Sequence, residues 1–140
     1  VPGDGFCVGA SCNPKGLMFV PPRGLERDAV EAVNALIREH CHSTFVWSSL
    51  QFNRNTNSLP HVDKNNLGPS FVLIVGDYTG GSLCVASRSI RTPAGGSPIG
   101  VHIAGRERHY TEPFTGLRFS VVAFVHSEAC HLSQRQRATL

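Results

Sequence analysis

One stretch of the chain repeats its apolar residues at helical spacing. In LERDAVEAVNALIREHC (25–41), Leu25, Ala29, Val33, Leu36, Ile37 and His40 fall three and four apart, which predicts a helix with one core-facing stripe. The period then drops to two. FVWSSLQFNRN (45–55) alternates as a strand does, with Val46, Ser48, Leu50 and Phe52 on one face and Gln51, Asn53 and Asn55 on the other. SFVLIVGDY (70–78) is continuously apolar, the pattern of a strand buried on both faces. Gly80-Gly81 predicts a turn into SLCVA (82–86), and RTPAGGSP (91–98) a loop. PIGVHIAG (98–105) and LRFSVVAFVH (117–126) read as further strands. Residues 1–24, rich in Gly and Pro, read as an irregular or edge-strand lead-in with a strand at GLMFV (16–20), and 127–140 as a polar tail. One helix followed by many short strands predicts an α+β, mainly β domain built on a sandwich or barrel. A jelly roll fits the strand count, and periodicity alone does not separate it from other sandwiches.

Composition narrows the class. A length of 140 residues with 41% apolar content suits one domain, residues 1–140, with a real core. No run reaches the length of a membrane span and no charged-then-apolar signal segment opens the chain. The start at Val1 points to an excised domain or a processed product. Five cysteines without a CxxC suggest neither a zinc ribbon nor a thioredoxin-type site and read as reduced, partly buried thiols of a soluble intracellular protein. A net charge of +3 permits an anionic partner without requiring one.

The candidate chemistry begins at HVD (61–63), just ahead of the buried strand. On a strand, residues two apart point the same way, so His61 and Asp63 can reach one ion. The spacing alone is weak, and the chain repeats it at His126-Ser-Glu128. Two imidazoles and a carboxylate on one face of an octahedron suit ferrous iron and leave positions open, which calls for a distant third ligand. His109, in GRERHYTEPFTGLRFS (105–120), is the candidate. On the last strand Arg118 and Ser120 share a face, opposite Leu117, Phe119, Val121 and Ala123. An Arg inside so apolar a strand calls for an anionic partner, either an internal Asp or Glu or a bound diacid.

HxD, a distant His, and an Arg followed two residues later by Ser resemble the iron- and 2-oxoglutarate-dependent dioxygenases. PHVDKNNLGPSFVLIVGDYTGGSL (60–83), taken with the segment around His109, resembles in wording the branch of the ten-eleven-translocation and base-J-binding-protein oxygenases. Asn53 and Asn55 resemble the polar pair with which AlkB-type members touch the cosubstrate. The resemblance spans about residues 45–126. It implies a double-stranded β-helix (jelly roll) with one supporting helix, and Fe(II) held by His61, Asp63 and His109. It further implies 2-oxoglutarate gripped by Arg118 with Ser120, Asn53 and Asn55, and dioxygen as a further substrate. Oxidation of a C–H bond follows. The lead substrate is a methylated base, a 5-methylpyrimidine, in nucleic acid; such a base must be single-stranded or flipped out. A nuclear location would accompany that substrate.

Other readings compete. A protein side-chain hydroxylase of prolyl or lysyl type uses the same centre, and an inactive jelly-roll binding module keeps its shape without turnover. A zinc hydrolase built on the same three residues leaves Arg118 without a task. Trp47 and Tyr78 are either core aromatics or platforms for a base. Lys64, Arg88, Arg91, Arg106 and Arg108 are either solvated charge or a phosphate channel. Asn65 and Asn66 are either turn residues or outer partners of the imidazoles. His40, Cys41 and His42 suit a helix C-terminus, and the crowded His126, Glu128 and His131 have no Arg on a following strand.

Overall fold

In a computed structural model, residues 3–13, 16–64, 66–86, 88–90, 99–104, 107–127 and 133–135 are described, with 11–13, 16–18, 25, 88–90 and 99 described by backbone alone. Among the described residues, nine strands and one longer helix follow in the order β1 (Asp4–Asn13), β2 (Gly16–Val20), α1 (Leu25–His40), β3 (Ser49–Arg54), β4 (Asn66–Gly80), β5 (Leu83–Val85), β6 (Arg88–Ile90), β7 (Ile99–Ala104), β8 (His109–Thr111) and β9 (Phe114–His126). They form a six-stranded sheet, β2-β1-β3-β9-β4-β7, and a three-stranded sheet, β6-β5-β8, in which every neighbouring pair is antiparallel. The mainly β architecture with one supporting helix is as expected.

Helix α1 begins where Glu26 reaches back to the Arg23 backbone N–H, with Asp28 also in its first turn, and ends with Arg38 and His40 in its last turn. Its stripe is wider than the spacing predicts, since Val30 and Asn34 are buried along with Val33 and Ile37. Val30, Val33 and Ile37 pack on Val8, Leu50, Phe71, Leu73, Val121 and Ala123, which form one face of the large sheet. Each such aliphatic side chain stabilises the fold by about 1.5–3 kcal/mol through burial. Trp47 belongs here: it packs against this core and donates its indole N–H to Asn34 Oδ1 at 2.9 Å. It is a core aromatic.

The other face of the large sheet builds a second core. Val72 and Ile74 of β4 meet Leu83 and Val85 of β5 and Ile103 of β7. Strand β4 is therefore buried on both faces over residues 70–74, the first part of its unbroken apolar run, while Asp77 near its end is exposed. Gly80 and Gly81, at φ 76° and 70°, form the corner at which the chain leaves the large sheet for the small one.

Three expectations are corrected. The lead-in is largely strand: β1 pairs with β2 on one side and β3 on the other, so its glycines sit inside a ladder. The strand expected over 45–55 spans Ser49–Arg54; Val46 precedes it and is exposed, and Asn55 leaves it at φ 53°. The second face of β9 is buried only in part, because the core beneath α1 takes in Val121 and Ala123 while Leu117 and Phe119 lie in the open.

Candidate metal and anion site

The site is built where the connection between β3 and β4 crosses the edge of the small sheet. His61 and His109 form an isolated antiparallel bridge, with N–H···O distances of 3.0 and 2.9 Å, and Thr111 N–H donates to Ser58 O at 3.0 Å. Residues directly opposed in an antiparallel pair project to the same face. Two imidazoles separated by 48 positions in sequence are thereby set with ring centroids 4.3 Å apart. Asp63 follows in a loop, not on the strand expected from the HxD spacing, and still reaches both rings. Its carboxylate oxygens lie 3.5 Å from His61 Nε2 and 3.2 Å from His109 Nε2.

The donor chemistry suits a cation. His61 Nδ1 lies 2.6 Å from Leu59 O and His109 Nδ1 lies 2.8 Å from Glu107 O. A carbonyl only accepts, so both Nδ1 atoms carry hydrogen and each Nε2 keeps a lone pair when neutral. The three ligand atoms lie within 4.8 Å of one another and can hold a metal ion. The hydrogen bond to Asp63 raises the pKa of His109 above the ordinary imidazole value, against the opposing effect of burial, and the Glu107 carbonyl adds to the rise. His109 is buried, Asp63 half-buried, and His61 open to solvent, so the site has an inner wall and an outer edge.

Arg118 lies on the wall of the same cavity, which has a volume of about 330 Å³ and is lined also by Gln51, Asn53, Ser120 and Val122. The residue is 4% exposed, and its Nε has no hydrogen-bond partner among the described residues. Nor does any carboxylate among them form an ion pair with it; the three ion pairs found there are Arg54–Asp4, His61–Asp63 and His109–Asp63. The internal Asp or Glu partner weighed above is thus missing among the described residues. Burial pulls the guanidinium pKa below its ordinary value, and the neighbouring Tyr78 phenol opposes that. The guanidinium carbon sits 5.6 Å from the Tyr78 ring and 5.7 Å from the Phe114 ring. Gly81 closes the sleeve: a Cβ there would lie 3.1 Å from Arg118 Cδ and Nε. Tyr78 packs against the second core and forms part of this sleeve.

Six of the seven residues expected above to hold the metal and the cosubstrate, His61, Asp63, His109, Arg118, Ser120 and Asn53, line this one cavity. Asn53 Nδ2 lies 3.4 Å from Ser120 Oγ, and Gln51 Nε2 lies 3.3 Å from Asn53 Oδ1, which makes a polar ladder along the floor. Asn55 is the correction. It does not line the cavity, because its side chain binds the Arg118 backbone instead. Sequence reasoning missed Gln51, Ser58, Tyr110 and Thr111 as lining residues. Gln51 was within reach, since it shares a strand face with Asn53.

The remaining candidates lie elsewhere. His126 is buried at the end of β9, with its N–H bonded to Ser48 Oγ, while Glu128 and His131 fall outside the described residues. His42 Nδ1 contacts Thr44 Oγ1 at the exposed end of α1. Lys64 and Arg108 are exposed beside metal-ligand candidates; Arg91, Arg106 and Asn65 lie outside the described residues, as does the side chain of Arg88. Asn66 lines the cavity and its Nδ2 lies 3.5 Å from Ser70 Oγ.

Neither a protein-family profile nor a curated protein matches the sequence. Among solved structures, the fold is similar to that of an oxidoreductase of the 2OG-Fe(II) oxygenase family from Burkholderia pseudomallei. The match has 14% identity and a TM-score of 0.58, over 89% of this chain and 72% of that one. At this identity the likeness is one of fold. Among the described residues, no helix is long and apolar enough to cross a membrane.

Proposed function

We propose that this chain is an Fe(II)- and 2-oxoglutarate-dependent dioxygenase on a double-stranded β-helix, with His61, Asp63 and His109 as the metal ligands. The observation that carries the reading is the pairing of two features in one cavity. One is a His-Asp-His donor set, and the other is a buried Arg118 with no internal counter-ion among the described residues. An unpaired interior guanidinium costs several kcal/mol and is tolerated where a ligand completes it. Its planar fork suits a carboxylate, so a diacid reaching from the metal to Arg118 satisfies both halves. The similar fold of a 2OG-Fe(II) oxygenase supports the same reading.

When bound, iron with 2-oxoglutarate and dioxygen supplies an oxidant able to take hydrogen from a C–H bond. The chain's own residues do the rest. Leu59 and Glu107 carbonyls hold the two imidazoles with Nε2 presented inward. Arg118 orients the cosubstrate's far carboxylate, Ser120 adds a hydroxyl, and Asn53 steadies Ser120. Val72, Leu83, Ile103 and Val122 give the cavity apolar walls that limit water. The open side at His61 is where a target must enter. The lead target is a methylated base in nucleic acid, with Lys64 and Arg108 placed for phosphates and a half-exposed Tyr110 at the mouth.

The test is an anaerobic titration of Fe(II) and 2-oxoglutarate, followed by succinate formation with methylated oligonucleotides and with proline- and lysine-containing peptides. A weak visible charge-transfer band is expected on adding 2-oxoglutarate to the iron-loaded protein. A protein that binds neither iron nor 2-oxoglutarate overturns the proposal, and turnover with peptides alone moves the substrate to a protein side chain.

A further inference from the structure

We infer that Asn55 is the positioning residue of the anion subsite: it fixes the main chain of Arg118, and so the direction of the guanidinium, relative to the loop that carries His61 and Asp63. The inference rests on the reading of Arg118 as the group that takes the cosubstrate's far carboxylate.

The ladder between β3 and β9 runs from Ser49 opposite Phe124 to Arg54 opposite Phe119. One step further would set Asn55 opposite Arg118. At φ 53° Asn55 has already turned out of the sheet, yet its N–H still donates to Arg118 O at 2.7 Å. The return bond is made by the side chain: Arg118 N–H donates to Asn55 Oδ1 at 2.8 Å. The carboxamide oxygen stands in for the main-chain carbonyl that the turn has carried away. The chain can therefore leave β3 while the last rung of the ladder stays closed. Asn is suited to both tasks, because it tolerates the left-handed region and its short side chain reaches neighbouring backbone.

Arg118 depends on that rung. Its Nε has no hydrogen-bond partner among the described residues, and its guanidinium lies beside two aromatic rings. Its direction then follows from the main chain of β9. On the β4 side that main chain faces Gly76, at φ 139°, where any Cβ would run into the Leu117 carbonyl. On the β3 side, among the described residues, its backbone hydrogen bonds go to Asn55. Six residues beyond Asn55 the chain delivers His61, so the same turn starts the path to the metal ligands. One residue thus ties the two ends of the proposed cosubstrate site together.

The experiment compares Asn55→Gly, which keeps the backbone conformation and removes the acceptor, with Asn55→Asp, which keeps both. Calorimetry of 2-oxoglutarate binding to the Mn(II)-loaded protein is the first readout. Mn(II) affinity and thermal melting serve as controls, and hydrogen exchange of the Arg118 amide reports the rung itself. Asn55→Gly is expected to weaken 2-oxoglutarate binding by about tenfold, the effect of one well-placed hydrogen bond. It should speed Arg118 amide exchange and leave Mn(II) affinity unchanged, while Asn55→Asp stays near the wild type in all three. If Asn55→Gly binds 2-oxoglutarate as the wild type does, or Asn55→Asp is equally weakened, the inference is wrong while the proposed function stands. If the wild type itself fails to bind 2-oxoglutarate, the proposed function fails, and the inference with it.

Discussion

His61 and His109 face each other as a hydrogen-bonded antiparallel pair, each donating its backbone N–H to the other's carbonyl. The bridge joins a loop to the edge of a small sheet, so main-chain bonds set the geometry of the two proposed metal ligands before any ion arrives. Asp63 sits on that loop and completes the set within reach of both Nε2 atoms. Asp63→Ala should lower Mn(II) or Fe(II) affinity by more than about a hundredfold, exceeding the ten- to hundredfold that outer partners of a metal site cost. Equilibrium dialysis checks this. Near-normal metal binding by the variant would refute the assignment of Asp63.

The His109–Asp63 contact also makes apo stability depend on pH. Asp63 raises the His109 pKa in the folded state. A raised imidazole pKa contributes stability that is fully present below the unfolded value of about 6.5 and is lost as pH rises through the folded value. Metal binding at the proposed site would run the other way, because the ion would need neutral His109 and compete with its proton. Metal-free protein should lose this increment of stability as pH rises through that window, while metal affinity climbs. Melting curves and metal titrations at matched pH test the two slopes, and Asp63→Asn should flatten the first. Parallel slopes would contradict the account.

Arg118 offers a trade between stability and binding. Its guanidinium is buried with no ion-pair partner among the described residues, so the metal-free, ligand-free protein carries the cost alone. Arg118→Met is expected to melt at or above the wild-type temperature while losing 2-oxoglutarate binding. Added 2-oxoglutarate at a hundred times its Kd should stabilise the wild type by about 2.7 kcal/mol and the variant not at all. Arg118→Lys keeps the charge and loses the fork, and should bind at least about tenfold more weakly. A variant without Arg118 that retains 2-oxoglutarate affinity would remove the anion subsite.

Much of this site was legible in the sequence, for identifiable reasons. Period-two alternation put Arg118 and Ser120 on one face of β9, and Gln51 with Asn53 on one face of β3, and those faces meet in the cavity. The apolar run of β4 announced burial on both sides. Strand β1 was hidden because Gly5 and Gly9 interrupt it, although Phe6, Val8 and Ala10 do alternate. Strand β8 was hidden because three residues carry no period. Asn55 was misplaced because alternation assumes an extended backbone, and its positive φ depends on where the partner strand lies. The exposure of Leu117 and Phe119 depends on where α1 stops covering the sheet, which no local pattern encodes.

Gly81 gives the last prediction, because it tests the sleeve without touching a charged group. Its φ of 70° disfavours any side chain, and a Cβ would lie 3.1 Å from Arg118 Cδ and Nε and from Phe114 Cβ. Its N–H meanwhile donates to Pro113 O at 3.0 Å, so the corner cannot readily swing away. Gly81→Ala should cost about 1–2 kcal/mol from the left-handed conformation. The added methyl should also push Arg118 off its direction and weaken 2-oxoglutarate binding. Gly68→Ala is the matched control: its φ of 65° carries a comparable penalty, and its Cβ would meet nothing within 4 Å. Both variants should melt lower than the wild type by thermal denaturation. Calorimetry should show weakened 2-oxoglutarate binding mainly in Gly81→Ala, and equal losses in the two would mean that lost stability, not the sleeve, weakens the subsite.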